Sequence, residues 1–372
     1  MMGALPPPPS KPRRSEALSA TLLILGSIVV CLLGAEIAGR IIATRASLWA
    51  YPNYINEYRA LFGRGVPMQF DAELGHIPRA NYHGTDNFEA VLFTFTADSL
   101  RDHHYDEPPP RIMTPSILVV GDSFAEGGEV EDNSSFPAWL QKILDRKVYN
   151  AAVGGYGLDQ IVLRAEKEVP RLEPGVLLVS FIPNDILRTQ LRARSGAGKP
   201  YFVIENNALV LKGVPVKPPP PDLNKLDPVR QVLGYSYLID FFMRRTNNLA
   251  YWYGGEVGDD FAHHDGVQVS CLLMDRLKAL KAASGVRIVM VAQYAPQTWT
   301  VPDFAASELK MARDQLACAR ERGLEVLDTA EPVRAAVAKQ GLSVVYINAH
   351  MTSIGNKLTA ELIADYLRRH PG

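Results

Sequence analysis

The sequence predicts an α/β fold in which helices cover both faces of a parallel sheet, with a transmembrane helix near the N-terminus and a cap-like insertion. Three observations predict it: strands and helices alternate after residue 116, an uncharged apolar run lies near the N-terminus, and residues 186–265 interrupt the alternation. Of the 372 residues, 47% are hydrophobic and 21% are charged, so the chain can bury a large core.

The alternation consists of five short apolar runs separated by helical patterns. The runs span residues 117–120, 148–152, 176–182, 287–292 and 324–327. The helical patterns begin near residues 135, 158, 267, 304 and 332, and a last one spans 353–367. Strands that are apolar throughout are buried on both faces, so we predict a three-layer, flavodoxin-like sheet. Alternating residues within 88–97 predict an additional strand pair.

Residues 17–35 carry no charge and predict a membrane-spanning helix. As a helix this run would rise about 28 Å, close to the thickness of the hydrocarbon core. A buried core helix would show a polar stripe, which is missing here, and a cleaved signal peptide is the competing interpretation. We predict a cytoplasmic tail over 1–16 and a single transmembrane helix over 17–40. The basic residues of the tail should keep it in the cytoplasm, which places the remainder in the periplasm or otherwise outside.

Beyond the helix we predict a membrane-proximal and lead-in segment over 41–115 and an α/β domain over 116–372. The insertion at 186–265 follows the third strand and contains a proline run and a cluster of aromatic residues. Insertions after the carboxyl end of a strand lie over the face where α/β folds bind ligands. The segment is therefore either a cap that shapes a substrate site or a patch that packs on the membrane, a partner or itself.

Charge and cysteine content exclude several functions. The formal net charge is −1, so no nucleic-acid partner is predicted. Cys31 lies in the apolar run, and the three cysteines do not have the spacing of a zinc site. No metal-ligand cluster appears in the sequence, and we predict no metal and no cofactor. Cys271 and Cys318 lie on separate predicted helices, and we expect two buried thiols. A disulfide is the alternative if the domain is exported.

The strongest local motif is ILVVGDSFAEG at residues 117–127, where an apolar strand runs directly into Gly121, Asp122 and Ser123. A serine at the carboxyl end of a strand lies at the rim of the sheet, and its own amide can point at an oxyanion. A GDS tripeptide alone would more often be a plain turn.

Three further motifs follow in order. The second strand runs into the glycine-rich NAAVGGYG at 150–157, the third ends in IPND at 182–185, and NAH at 348–350 precedes the last helix. Because the carboxyl ends of parallel strands meet at one edge, we expect these residues to lie close together.

With these four motifs the chain resembles the SGNH (GDSL-like) hydrolase family, whose marks match Ser123, Gly155, Asn184 and His350. The resemblance covers about residues 116–185 and 266–372, and it implies an SGNH hydrolase domain. The lead-in motifs ELGHIPRANYHG and TADSLRD are similar to those of envelope-anchored bacterial members with one membrane helix. The resemblance implies that Ser123 is the nucleophile and His350 its base. It also implies an oxyanion hole formed by the amides of Ser123 and Gly155 and the Asn184 side chain.

The chain departs from the family at the acid, which lies two residues before the histidine and is here Asn348. An asparagine can accept a hydrogen bond from the imidazole but supplies no negative charge. The catalytic set Ser123, His350 and Asn348 is therefore a slower site, a site that borrows an acid from elsewhere, or a degenerate one. On this reasoning, Asn348→Asp should raise turnover by about tenfold or more.

We therefore expect a serine ester hydrolase or acyl transferase that acts on an acylated cell-envelope substrate, such as an O-acetylated glycan. The alternative is a catalytically weak or inactive carbohydrate-binding or assembly protein with the same fold, which Asn348 favours and the intact Ser123 and His350 oppose. A nucleotide-binding domain is excluded because no glycine-rich phosphate loop opens a helix after the first strand.

Overall fold

The computed structural model describes residues 14–42, 53–55, 67–85, 91–102, 115–194, 197–218, 227–246, 248, 251–252 and 259–371. Nearly all of the predicted cytoplasmic tail, most of the membrane-proximal stretch and most of the proline run lie outside these residues. The chain divides into two compact units, one of residues Met1–Tyr58 with Asn224–Gly254 and one of Arg59–Leu223 with Gly255–Gly372.

The strands are β1 (Met68–Asp71), β2 (Gly75–Pro78), β3 (His83–Thr85), β4 (Leu92–Thr94), β5 (Ile117–Val120), β6 (Val148–Asn150), β7 (Val176–Phe181), β8 (Leu191–Arg194), β9 (Ala197–Gly198), β10 (Tyr201–Glu205), β11 (Ala208–Lys212), β12 (Asp260–Phe261), β13 (Arg287–Ala292), β14 (Glu325–Asp328), β15 (Tyr346–Ile347) and β16 (His350–Met351). The α-helices are α1 (Arg14–Ile42), α2 (Ser123–Glu126), α3 (Phe136–Leu144), α4 (Leu158–Leu172), α5 (Pro183–Arg188), α6 (Pro228–Leu233), α7 (Tyr237–Arg245), α8 (Gly266–Ser284), α9 (Pro302–Glu321), α10 (Ala330–Gln340), α11 (Leu342–Val345) and α12 (Ser353–Arg369).

The centre of the second unit is a parallel sheet with strand order β14-β13-β7-β5-β6. It confirms the predicted α/β fold, and β5 and β13 begin and end where the sequence predicts. The strand β6 stops earlier than predicted, because the chain turns into its glycine-rich loop after Asn150. Of the predicted pair at 88–97, residues 88–90 lie outside the described residues, and residues 91–97 contain the strand β4, which pairs with β3.

Successive residues of the central strands pack on opposite faces of the sheet. Leu118 and Val120 of β5 belong to one apolar cluster, which the helices α4, α8 and α9 cover. Ile117 and Val119 belong to a second cluster, which α3 and α12 cover. All four side chains are fully buried, which explains why the strand sequence is apolar without alternation.

The helices α8 and α9 lie side by side on the first face, and a disulfide joins Cys271 to Cys318. The expectation of two thiols is therefore wrong. Sequence alone does not reveal that these two helices are neighbours, whereas the structure places the two Cα atoms 5.4 Å apart, a usual separation for a disulfide.

In the first unit, residues Leu18–Ile42 of α1 are apolar and long enough to cross a membrane, with a mean hydropathy of 2.4. A signal sequence would satisfy the same criterion. The side chains along this stretch are largely exposed, unlike those of a core helix.

The aromatic part of the insertion also belongs to the first unit, where it is bonded to the end of α1. The Glu36 carboxylate accepts hydrogen bonds from Ser236 Oγ at 2.8 Å and from the amides of Tyr237 and Leu238 at 2.7 and 3.0 Å. It thereby caps the N-terminus of α7. Residues 191–194 and 197–212 of the insertion instead contain β8–β11 of the second unit.

Candidate active site

Ser123 is the first residue of the short helix α2, immediately after β5. Asp122 caps this helix by accepting a hydrogen bond from the Phe124 amide at 3.0 Å. The preceding Gly121 has no room for a side chain, since a Cβ there would lie 2.7 Å from the Ala125 Cβ and 2.9 Å from a backbone oxygen of β7. The motif therefore folds the strand sharply into the helix and leaves Ser123 partly exposed at the carboxyl edge of the sheet.

His350 is brought to Ser123 by a short antiparallel ladder between β15 and β16. The residues joining these strands include Asn348, whose φ of 48° lies in the left-handed region that asparagine tolerates. The His350 Nε2 atom lies 2.8 Å from Ser123 Oγ. The Phe124 ring packs 5.2 Å from the imidazole, centroid to centroid. A hydroxyl within hydrogen-bond distance of an imidazole is the arrangement of a nucleophile with its base.

The residues predicted to bind an oxyanion follow three adjacent strands. The Ser123 amide is at the first position of α2, where the helix itself offers no acceptor. Gly155 follows β6 with a φ of 85°, and Asn184 is exposed in the first turn of α5, directly after β7. The amide of the neighbouring Gly154 is already bonded to Glu126 Oε2 at 3.0 Å.

A buried ionic cluster ties the three loops together. Asp185 accepts a hydrogen bond from the Ile182 amide at 2.9 Å and one from Arg188 at 2.5 Å. Arg188 also donates to the Tyr156 carbonyl oxygen at 3.0 Å and lies 3.6 Å from Asp122. Burial and the nearby charge of Asp122 raise the pKa of Asp185 well above its usual value, against the opposing effect of Arg188.

The described residues contain no group of three or more His, Cys, Asp and Glu side chains that could hold a metal ion.

One acidic residue at the site was not found from the sequence. Glu129 is buried, and its Oε2 atom lies 3.6 Å from His350 Nδ1 and accepts from the His350 amide at 3.3 Å. Burial by itself would raise the pKa of Glu129, but His350 and the Asn348 side chain hold it below its usual value. The sequence shows several acidic residues after the GDS motif and no signal that singles out this one.

The loop that carries Glu129 is fixed by Arg101 of the lead-in motif TADSLRD. The Arg101 side chain is almost fully buried, and its Nε lies 3.1 Å from Asp132 Oδ1. Its guanidinium also donates to three backbone oxygens of the loop, those of Glu126 at 2.6 Å, Gly127 at 2.6 Å and Val130 at 2.7 Å.

Several solved structures are similar to this chain. LAE5, an alpha/beta hydrolase enzyme from the metagenome of Lake Arreo in Spain, is 11% identical, covers 70% of this chain and 97% of its own, and has a TM-score of 0.41. A catalytic mutant of Axe2, an acetylxylan esterase from Geobacillus stearothermophilus, is 12% identical and has a TM-score of 0.41, and the match covers 70% of this chain and 95% of the mutant's chain. TesA is 14% identical and has a TM-score of 0.39, and the match covers 68% of this chain and 98% of the TesA chain. No curated protein matches the chain.

The family is shown by a match to the sequence model of the GDSL-like lipase/acylhydrolase family over residues 119–358. The matched region begins in β5, ends in α12 and includes all four residues on which the resemblance was recognised. Since it covers well over half of the chain, this protein belongs to the GDSL-like lipase/acylhydrolase family and is a hydrolase of ester bonds.

Proposed function

We propose that Ser123 and His350 carry out ester hydrolysis by acyl transfer through the serine. The observation that supports this most directly is the 2.8 Å separation of Ser123 Oγ from His350 Nε2 at the partly exposed edge of the sheet. A protein that only binds carbohydrate has no need of such a pair, so the enzymatic function is favoured over the binding one.

In the first step Ser123 Oγ attacks the ester carbonyl while its proton moves to His350 Nε2. The carbonyl oxygen becomes an oxyanion, which the amides of Ser123 and Gly155 and the Asn184 side chain would stabilise. As the tetrahedral intermediate collapses, His350 returns the proton to the leaving alcohol and an acyl-serine remains. Water, activated by the same imidazole, then releases the acid, whereas a hydroxyl group in place of water would complete an acyl transfer.

We propose that the enzyme is anchored by one transmembrane helix, with a cytoplasmic N-terminus and a periplasmic or otherwise extracytoplasmic hydrolase domain over 116–372. The uncharged run of α1 and the basic residues before it support this orientation. The disulfide between Cys271 and Cys318 supports it as well, because disulfides persist in oxidising compartments.

The substrate that fits this location is an acylated component of the cell envelope, such as an O-acetylated glycan. Asn184 is exposed and Ser123 and Gly155 are partly so, which suits an acyl group carried on a large molecule.

The role of Ser123 can be tested on the full-length protein in detergent. Ser123→Ala should lower hydrolysis of p-nitrophenyl acetate by at least about a thousandfold and abolish labelling by a fluorophosphonate. Ser284→Ala, at an exposed serine of α8, is the matched control and should leave both unchanged. Labelling and turnover of Ser123→Ala at the level of the wild type would show that another residue is the nucleophile.

A further inference from the structure

Glu129 and Ser123 contact opposite nitrogens of the same imidazole. His350 Nε2 lies 2.8 Å from Ser123 Oγ, and His350 Nδ1 lies 3.6 Å from Glu129 Oε2. In acyl hydrolases that use a triad, the acid occupies the position beside Nδ1. The distance of 3.6 Å is longer than a direct hydrogen bond, and such bonds often shorten only when substrate is bound.

We propose that Glu129 is the acid of this site, acting as a positioning residue for His350, and that Asn348 holds the Glu129 carboxylate in place. The proposal rests on the Ser123–His350 chemistry proposed above and assigns the role that the family gives to a residue at position 348. The carboxylate thus comes from the loop after the nucleophile, and an amide stands where the family has its acid.

The identity of the residue at 348 fits this arrangement. The Asn348 side chain can donate a hydrogen bond to the Glu129 carboxylate, which an aspartate cannot do when it is ionised. An aspartate at this position would instead place a second negative charge beside Glu129. A neutral amide therefore suits a site whose acid comes from another loop.

The loop is also rigid enough to hold an acid in one position. The Arg101 guanidinium donates hydrogen bonds to the backbone oxygens of Glu126, Gly127 and Val130. The Gly128 amide donates to the Ser123 carbonyl oxygen at 2.9 Å. At Gly128 an added Cβ would lie 3.3 Å from His350 Cε1, so the backbone of the loop packs directly against the imidazole. Preorganised groups of this kind stabilise charge without reorganising during the reaction.

The chemical consequence concerns the imidazolium that forms when Ser123 gives up its proton. A carboxylate beside Nδ1 stabilises that positive charge and fixes the ring so that Nε2 faces the nucleophile. The bonds that hold the pKa of Glu129 below its usual value keep the carboxylate ionised at neutral pH.

Full-length variants with p-nitrophenyl acetate as substrate test the assignment. Glu129→Gln should lower kcat by about a hundredfold or more with little change in KM, because charge stabilisation is lost and binding is not. Glu131→Gln is the matched control, because it removes the same charge from an exposed residue of the same loop, and it should change neither quantity.

A second pair of variants tests whether a carboxylate at position 348 can replace the one at position 129. Asn348→Asp alone should not accelerate the enzyme, contrary to the expectation from sequence, because it adds a like charge beside Glu129. In the Glu129→Gln background the same substitution returns one carboxylate to the site and should recover turnover by about tenfold or more. An unchanged unfolding midpoint of the single Glu129→Gln variant in urea would show that its lower kcat does not come from misfolding.

Two outcomes would overturn the assignment. One is a Glu129→Gln enzyme with wild-type kcat. The other is acceleration by Asn348→Asp alone with no rescue in the double variant. Both leave Ser123-dependent hydrolysis by the wild type intact, whereas a wild type that neither hydrolyses the ester nor labels with a fluorophosphonate would refute the proposed function instead.

Discussion

Arg101 provides a direct test of how firmly the active-site loop is held. Arg101→Met keeps an apolar stem but removes the guanidinium and the hydrogen bonds that it donates to the loop. Asp132, which is 6% exposed, loses its ion pair with Arg101, whose Nε lies 3.1 Å from Asp132 Oδ1. It keeps the hydrogen bond that the Thr94 amide donates to it at 3.1 Å. Removing one partner of a buried ion pair typically costs about 3–5 kcal/mol, and we expect the free energy of unfolding to fall by that amount at neutral pH.

The pH dependence identifies the cause. Burial raises the pKa of Asp132 above its ordinary value of 3.8, and Arg101 opposes that rise. Without Arg101 the folded-state pKa should rise further. When an acid has a higher pKa in the folded than in the unfolded state, the protein loses stability as the pH rises above the pKa of the unfolded state. The difference in unfolding free energy between wild type and Arg101→Met should therefore be largest above neutral pH and smaller near pH 4, where the folded carboxyl group can keep its proton.

Urea unfolding of the full-length protein in detergent, followed by tryptophan fluorescence above neutral pH and near pH 4, measures how far the free energy of unfolding differs between the wild type and Arg101→Met. The double variant Arg101→Met/Asp132→Asn removes the uncompensated charge and should be more stable than Arg101→Met by about 1 kcal/mol or more. Because the Glu129 loop loosens, kcat of Arg101→Met should fall as well. A variant with unchanged unfolding midpoints at both pH values would refute the view that this ion pair holds the loop.

Two further predictions concern the disulfide and the membrane orientation. The disulfide closes a loop with a sequence separation of 47, for which chain entropy gives about 4 kcal/mol, so Cys271→Ser/Cys318→Ser should lower the unfolding midpoint in urea. Maleimide labelling of the unfolded wild type should find one thiol per chain before reduction and all three after, and three thiols before reduction would contradict the pairing. For the orientation, a C-terminal alkaline phosphatase fusion should be active in cells, and an inactive one together with a fluorescent cytoplasmic reporter would reverse the proposed topology.

The sheet and the four motifs could be predicted because both depend on local pattern. A strand buried on two faces must be apolar at its buried positions, and β5 satisfies this rule throughout and β13 at every position after Arg287. The motif positions then follow, since the residue after a parallel strand lies at the carboxyl edge of the sheet. No knowledge of the remainder of the chain is needed to place Ser123 or Asn184 at that edge.

The disulfide and the acid depend instead on contacts between distant segments. Cys271 and Cys318 meet only because α8 and α9 pack side by side on one face, a choice that neither helix sequence reveals. Glu129 and His350 are 221 residues apart. The position of Glu129 further depends on Arg101, which comes from the lead-in segment and shapes the loop through its backbone oxygens.

The apparent loss of the family's acid at position 348 therefore has a structural explanation that the motif alone conceals. A histidine base needs negative charge beside Nδ1, and that requirement fixes a point in space and not a position in the sequence. The loop after the nucleophile reaches that point with Glu129, and the hairpin before His350 then serves the site better with a hydrogen-bond donor than with a second carboxylate. In this arrangement Asn348 is a hydrogen-bond donor suited to the Glu129 carboxylate. In related chains, activity should therefore be predicted from the residues at both positions and not from position 348 alone.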